Sequence, residues 1–133
     1  MESTLYIEPS LTTPEIRFQL ENCHFSIKGS SYPENSLKFY QPVVQYLSEL
    51  VQNYPVDPSK TFILDVELQY FNTSTAKVLL DIFRYFEQLH EKGQPVKVRW
   101  LYLEDDTEME DAGLDYQAAV KLPFELVALH EEA

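Results

Sequence analysis

Two runs of alternating residues constrain this chain most. Over Thr61 to Phe71, Phe62, Leu64, Val66, Leu68 and Tyr70 point one way while Asp65, Glu67 and Gln69 point the other. Over Val96 to Leu103, Val96, Val98, Trp100 and Tyr102 likewise oppose Lys97 and Arg99. A period of two marks a strand, and a parallel strand covered on both faces would instead read as continuously apolar. The two runs therefore predict an α/β fold with a mixed, open-faced sheet, helices packed mainly on one side and water on the other. On the wet face, Lys97 and Arg99 are expected to pair with Asp65 and Glu67 across neighbouring strands.

The other elements follow from periodicity and breakers. Leu5 to Glu8, Glu15 to Leu20 and His24 to Lys28 read as short strands, the last two joined by a hairpin connection at Glu21-Asn22-Cys23. Gly29 to Ser36 is rich in breakers and leads into a helix over Leu37 to Gln52, whose apolar face is Phe39, Val43, Tyr46, Leu47 and Leu50. Tyr54-Pro55-Val56-Asp57-Pro58 ends it, because proline removes a donor and disfavours helix in its predecessor. An amphipathic helix over Ala76 to Glu91 stops at Lys92-Gly93-Gln94-Pro95. A polar helix over Glu108 to Lys121 follows the second long strand, and Pro123 leads into a last strand, Phe124 to Leu129. With 133 residues and 44% hydrophobic content, the expectation is a single domain over residues 1–133.

Charge narrows the partners. Ten Lys and Arg against 22 Asp and Glu give a net charge of −12, which repels nucleic acid and anionic membrane surfaces and favours a protein partner. No apolar run approaches the roughly 20 residues of a transmembrane helix, so no membrane insertion is expected. Met1-Glu2-Ser3-Thr4 lacks the regions of a signal peptide, which predicts a cytoplasmic protein. The lone Cys23 supports neither a disulfide nor a redox pair. Glu104-Asp105-Asp106, with Glu108, Glu110 and Asp111, lacks the glycine turn and ligand spacing of a calcium loop and reads as a solvated acidic helix start. His24, His90 and His130 are scattered surface residues by the same reasoning, and neither metal nor cofactor is expected.

Three features carry possible function. At the joint between the long strand and its helix stands Asn72-Thr73-Ser74-Thr75. A helix N-terminus leaves N–H groups unpaired and carries the positive end of the dipole, so it favours Asn, Ser or Thr as a cap and receives phosphate well. Asn72 or Thr73 as a simple cap accounts for part of the motif, but three adjacent hydroxyls exceed what a cap requires. Tyr32-Pro33-Glu34-Asn35 reads either as a partner-binding loop or as a turn feeding the helix through Asn35 or Ser36. Asp65, Glu67, Lys97 and Arg99 read either as a small enzyme's catalytic cluster or as an exposed charge ladder. No glycine-rich phosphate loop, nucleophile elbow or metal motif supports the enzyme.

Several segments, in the same order along nearly the whole chain, resemble the SiaC-type regulatory phosphoproteins of bacteria. They are Ser31-Tyr32-Pro33-Glu34-Asn35-Ser36, the stretch from Glu67 to Lys77, Val98-Arg99-Trp100-Leu101-Tyr102 and Leu122-Pro123-Phe124. The open sheet with a hydroxyl at a helix N-terminus is also similar to anti-sigma-factor antagonist, or STAS, domains. The resemblance implies a STAS-like fold and a non-enzymatic switch. It implies a phosphoacceptor at Thr73, with Ser74 second, a Ser/Thr kinase of histidine-kinase-like fold and a PP2C-type phosphatase. It further implies that the unphosphorylated form binds and activates a diguanylate cyclase, raising cyclic di-GMP and promoting aggregation or biofilm formation. Tyr32, Pro33, Glu34, Asn35, Asn72, Thr73, Ser74, Thr75 and Lys77 are the residues expected at the partner surface. The chain departs from the commoner Asn-Thr-Ser-Ser pattern at Thr75, which keeps a hydroxyl. An anti-sigma-factor antagonist that sequesters an anti-sigma kinase is the alternative partner-switching reading.

Overall fold

Strand order equals chain order. The computed structural model describes residues 3–130; Met1 and Glu2 of the segment read against a signal peptide, and residues 131–133, lie outside them. Strands β1 (Thr4–Ile7), β2 (Glu15–Gln19), β3 (His24–Ser31), β4 (Phe62–Phe71), β5 (Val96–Leu103) and β6 (Phe124–Leu129) form one sheet in the order β1-β2-β3-β4-β5-β6. The first two pairings are antiparallel and the last three parallel. Parallel neighbours need crossovers, supplied by α1 (Ser36–Asn53), α2 (Thr73–Glu91) and α3 (Thr107–Ala119).

All three helices lie on one face. Phe18 meets Tyr46 of α1, Phe25 meets Phe86 of α2 and Trp100 meets Tyr116 of α3, and these strand residues share the buried parity of the sheet. On the opposite face, Arg17, Ser26, Asp65, Arg99 and Glu125 stand in one row across five strands. Asp65 accepts two bonds from Arg99, at 2.6 and 2.7 Å, and lies 2.9 Å from His24 Nε2. Lys97 pairs with Glu125 at 3.0 Å, not with a carboxylate of β4, because Arg99 already occupies Asp65. Asp65, Glu67, Lys97 and Arg99 are all half-buried at a water-facing surface, as the alternation predicts.

Four departures from the sequence expectation have local causes. The N-cap at Asn72 starts α2 three residues before the periodic pattern does. β3 runs on to Ser31 because Gly29 adopts φ 127, where an added Cβ would lie 3.4 Å from Pro14 Cα. Between Leu68 and Tyr70, β4 carries an extra residue, Gln69, against the single step from Gly29 to Ser30 on β3. This bulge inverts the parity, so Tyr70 turns outward, 54% exposed, while Phe71 turns inward onto Trp100. In α1 the buried face includes Tyr40 and leaves Phe39 only partly covered, and the helix tolerates Pro42 on its exposed side. Cys23 is half-buried at φ 53, closing a short 3-10 turn over Leu20–Asn22 between β2 and β3.

Two consequences are measurable. Gly113 of α3 lies against Trp100, and a Cβ there would stand 2.5 Å from Cδ1 and 2.7 Å from Nε1 of the indole. Gly113→Ala is expected to lower stability by about 1–3 kcal/mol in urea denaturation, since the ring is fully packed and has no room to move. Burial raises the Asp65 carboxyl, but the bonds from Arg99 and His24 outweigh it and hold it below its ordinary value. A carboxyl lowered in the folded state contributes stability above its unfolded pKa and loses it as pH falls through the folded one. Asp65→Asn is therefore expected to flatten the decline in stability below about pH 4.

Candidate functional site

Two helix N-termini converge where β3 and β4 end. Asn35 caps α1 by accepting from Lys38 N at 3.1 Å, and Asn72 caps α2 by accepting from Thr75 N at 2.9 Å. The Asn72 amide donates to the Ser31 carbonyl at 3.0 Å, which extends the β3–β4 pairing into the joint. The local structure thus realises the capping reading of both motifs, and it does so with the asparagines.

The hydroxyls at Thr73, Ser74 and Thr75 have different surroundings. Thr75 is fully buried; its Oγ1 donates to the Ser31 carbonyl at 3.1 Å and lies 2.9 Å from Ser31 Oγ, which is 2.7 Å from the Tyr40 hydroxyl. Ser74 donates to Asn72 Oδ1 at 3.1 Å and stands 2.7 Å from Ser36 Oγ, bridging the first turns of α2 and α1. Thr73 is exposed, occupies the first helical position and stands outside this network. Burial pushes the Tyr40 phenol up to about 12, so it is a neutral donor at ordinary pH.

The three bonds of the buried chain have one proton each to share. Thr75 gives its proton to a carbonyl, which can only accept. Ser31 must then donate to Thr75, and Tyr40 must donate to Ser31. This ordering ties α1, β3 and α2 together at the point where Thr73 is displayed.

Beside Thr73 lies a cleft of about 630 Å³, lined by Glu34, Asn35, Leu37, Ser74 and Lys77 among others. Lys77 is exposed one turn along the helix. Exposed apolar side chains gather at the same end of the sheet: Leu11 at 89%, Leu37 at 79%, Tyr70 at 54% and Tyr32 at 42%. Tyr32 and Tyr70 pack edge to face with centroids 5.6 Å apart, and the Tyr32 amide is held by the Thr12 carbonyl. The fold brings Tyr32, Glu34, Asn35, Asn72, Thr73, Ser74 and Lys77 to one surface, with Pro33 and Thr75 buried beneath it. Sequence reasoning missed Leu11, Leu37 and Tyr70 as surface groups and Ser31 and Tyr40 as supports. Only Leu37, lying off the apolar stripe of α1, had left a readable signal.

The acidic stretch is structural where its bonds are seen. Asp106 caps α3 by accepting from Met109 N, Glu110 accepts from Tyr102 and Glu104 pairs with His130. Among the described residues, no group of three or more His, Cys, Asp or Glu is placed to hold a metal, and no helix is long and apolar enough to cross a membrane.

Residues 7–129 match the SiaC family of regulatory phosphoproteins. A protein of Pseudomonas aeruginosa strain UCBPP-PA14 is 31% identical over 130 residues, covering 98% of this chain and 99% of its own. Apo-SiaC from Pseudomonas aeruginosa is similar in structure, with a TM-score of 0.83 at 29% identity over 96% of this chain and 100% of its own. SiaC in complex with diguanylate cyclase SiaD, which it activates, gives a TM-score of 0.84 at 28% identity over 94% of this chain and 99% of its own.

The buried chain of hydroxyls predicts its own test. Thr75→Val keeps the shape but removes the donor to the Ser31 carbonyl and the acceptor for Ser31 Oγ. A loss of about 1–3 kcal/mol is expected in urea denaturation. Thr75→Ser, which keeps both bonds, is expected to lose less.

Proposed function

The chain belongs to the SiaC family of regulatory phosphoproteins, and from that premise we propose that it is a non-enzymatic, phosphorylation-gated activator of a diguanylate cyclase. Unphosphorylated, it binds the cyclase in the cytoplasm, raises cyclic di-GMP and promotes aggregation or biofilm formation. A kinase of histidine-kinase-like fold phosphorylates Thr73, and a PP2C-type phosphatase reverses it. The cyclase is supported by the relative that is found bound to SiaD as its activator.

The observation that carries the choice of acceptor is the sorting of the hydroxyls. Thr75 is locked in the interior and Ser74 is shared with Ser36 and Asn72, whereas Thr73 is exposed at the first position of α2. A phosphate there carries about −1.5 to −2 charges and sits at the positive end of the helix dipole, within a turn of Lys77. The domain can therefore hold the charge without refolding. Across an interface the same group is bulky and strongly hydrated. It stands beside Leu37 and close in the chain to Tyr70, whose packing against a partner would have to strip that water away.

Incubation with the kinase and ATP should place phosphate on Thr73, with little on Thr73→Ala protein by mass spectrometry. In calorimetry, Thr73→Ala should bind the cyclase within about twofold of unmodified protein. The phosphorylated form should bind at least about tenfold more weakly, a cost of about 1.4 kcal/mol or more. Circular dichroism should be unchanged. Equal affinity of the two forms would overturn the gate.

A further inference from the structure

The first turns of α1 and α2 are bonded directly to each other through Ser36 and Ser74, whose hydroxyls lie 2.7 Å apart. Ser74 gives its one proton to Asn72 Oδ1 at 3.1 Å, an oxygen that the bond from the Thr75 amide fixes as an acceptor. Ser36 is therefore the donor between the two serines. Ser36 is buried, at 6% exposure, whereas Ser74 is open to water. Water can replace Ser36 at Ser74, so this bond is given up at little cost wherever Ser36 finds another acceptor.

The turn that carries Ser36 is loosely tied to the rest of its helix. Pro42 has no N–H, so the bond that residue 42 would make to the Lys38 carbonyl is missing from α1. Tyr40, buried and 2.7 Å from Ser31 Oγ, fixes the helix just before the proline, and the freedom left by the missing bond falls to Ser36, Leu37, Lys38 and Phe39. Leu37 borders two clefts, of about 910 and 630 Å³, and has open space on either side. The smaller cleft is the one that Ser36 shares with Thr73 and Lys77.

We propose that a phosphate on Thr73 takes over the Ser36 hydrogen bond from Ser74 and draws the first turn of α1, with Leu37, toward α2, Pro42 serving as the hinge. This rests on the reading of Thr73 as the acceptor. A hydrogen bond to an anionic oxygen is about twice as strong as one between neutral hydroxyls, which favours the exchange. Glu34 and Asp81 also line the cleft and repel the dianion, while Lys77 of α2 attracts it, so on the α1 side the phosphate is met by a neutral donor and not by a counter-ion. Ser74 keeps its bond to Asn72, which leaves the cap of α2 undisturbed. The modification thus moves an exposed leucine of the surface as well as adding charge to it.

Phosphothreonine placed at position 73 by genetic encoding, with no kinase involved, allows the full chain to be titrated by phosphorus NMR. A donor to the dianion lowers the second pKa of the phosphate, so Ser36→Ala is expected to raise that midpoint by about 0.3 pH unit or more, and Ser36→Thr, which keeps the hydroxyl, to raise it less. Ser74→Ala, which removes the resting acceptor, should lower the midpoint or leave it unchanged. Pro42→Ala restores the bond to Lys38; it should raise the midpoint part-way and, in unmodified protein, slow hydrogen exchange of the Lys38 and Phe39 amides about threefold or more. Each variant is checked for folding by circular dichroism, and should Ser36→Ala fail to fold, Ser74→Ala and Pro42→Ala decide. A midpoint unmoved by Ser36→Ala, a midpoint raised by Ser74→Ala, or exchange unchanged by Pro42→Ala overturns the exchange of partners. Calorimetry with the cyclase reads the gate separately, since equal affinity of the two forms sinks the gate and leaves these midpoints as they are.

Discussion

A chain of hydroxyl protons, from Tyr40 to Ser31 to Thr75 and back to the Ser31 carbonyl, holds the working end of the molecule in place. It links the first long helix, the last residue of β3 and the first turn of α2. Each bond is buried, and each group has its partner, so the cost of an unpaired polar atom enforces the arrangement more strongly than the modest gain of the bonds themselves. With Thr75 fixed inward, helical geometry turns Thr73, two residues earlier, away from the core. Display of the exposed hydroxyl is thus a consequence of packing one layer below it.

The sheet contributes rigidity by different means on its two faces. Under the helices, rings of β2 and β3 meet rings of α1 and α2 edge to face, and Trp100 of β5 packs at a tilt on Tyr116 of α3, which gives a dense apolar support. On the wet face, Asp65 binds Arg99 and His24, and Lys97 pairs with Glu125. Partly exposed pairs of this kind add little net stability. Their effect is to fix register: of the charge ladder read in the sequence they engage Asp65, Lys97 and Arg99, while Glu67 stands outside these pairs.

Much of this was legible in the sequence. The alternation around Asp65 and around Arg99 carried the one-sided sheet, because period two is a local property of strands and needs no knowledge of neighbours. The joint at Asn72 was legible for a similar reason, since capping chemistry is local. What could not be read were features that depend on pairing partners. Leu68 to Phe71 continues a plain alternation, and only the step on β3 from Gly29 to Ser30 shows that Gln69 is an extra residue. The persistence of β3 beyond Lys28 was hidden because Gly29 reads as a breaker, although here its positive φ keeps the strand in place. Tyr40 and Ser31 belong to segments separated in sequence from Thr75, and their hydroxyls meet only after the crossovers are made.

The extra residue in β4 sets the phase of everything after it. Without Gln69, Tyr70 would resume the buried parity and Phe71 would swing into solvent, exchanging an amphipathic phenol at the surface for a bare ring. The joint would also retreat along the sheet by about 3.3 Å, the rise of one strand residue, and Asn72 would no longer reach the end of β3. Length between Leu68 and Asn72 is therefore as constrained as composition. Substitutions at Gln69 and Tyr70 tune the surface, whereas an insertion or deletion rewrites it.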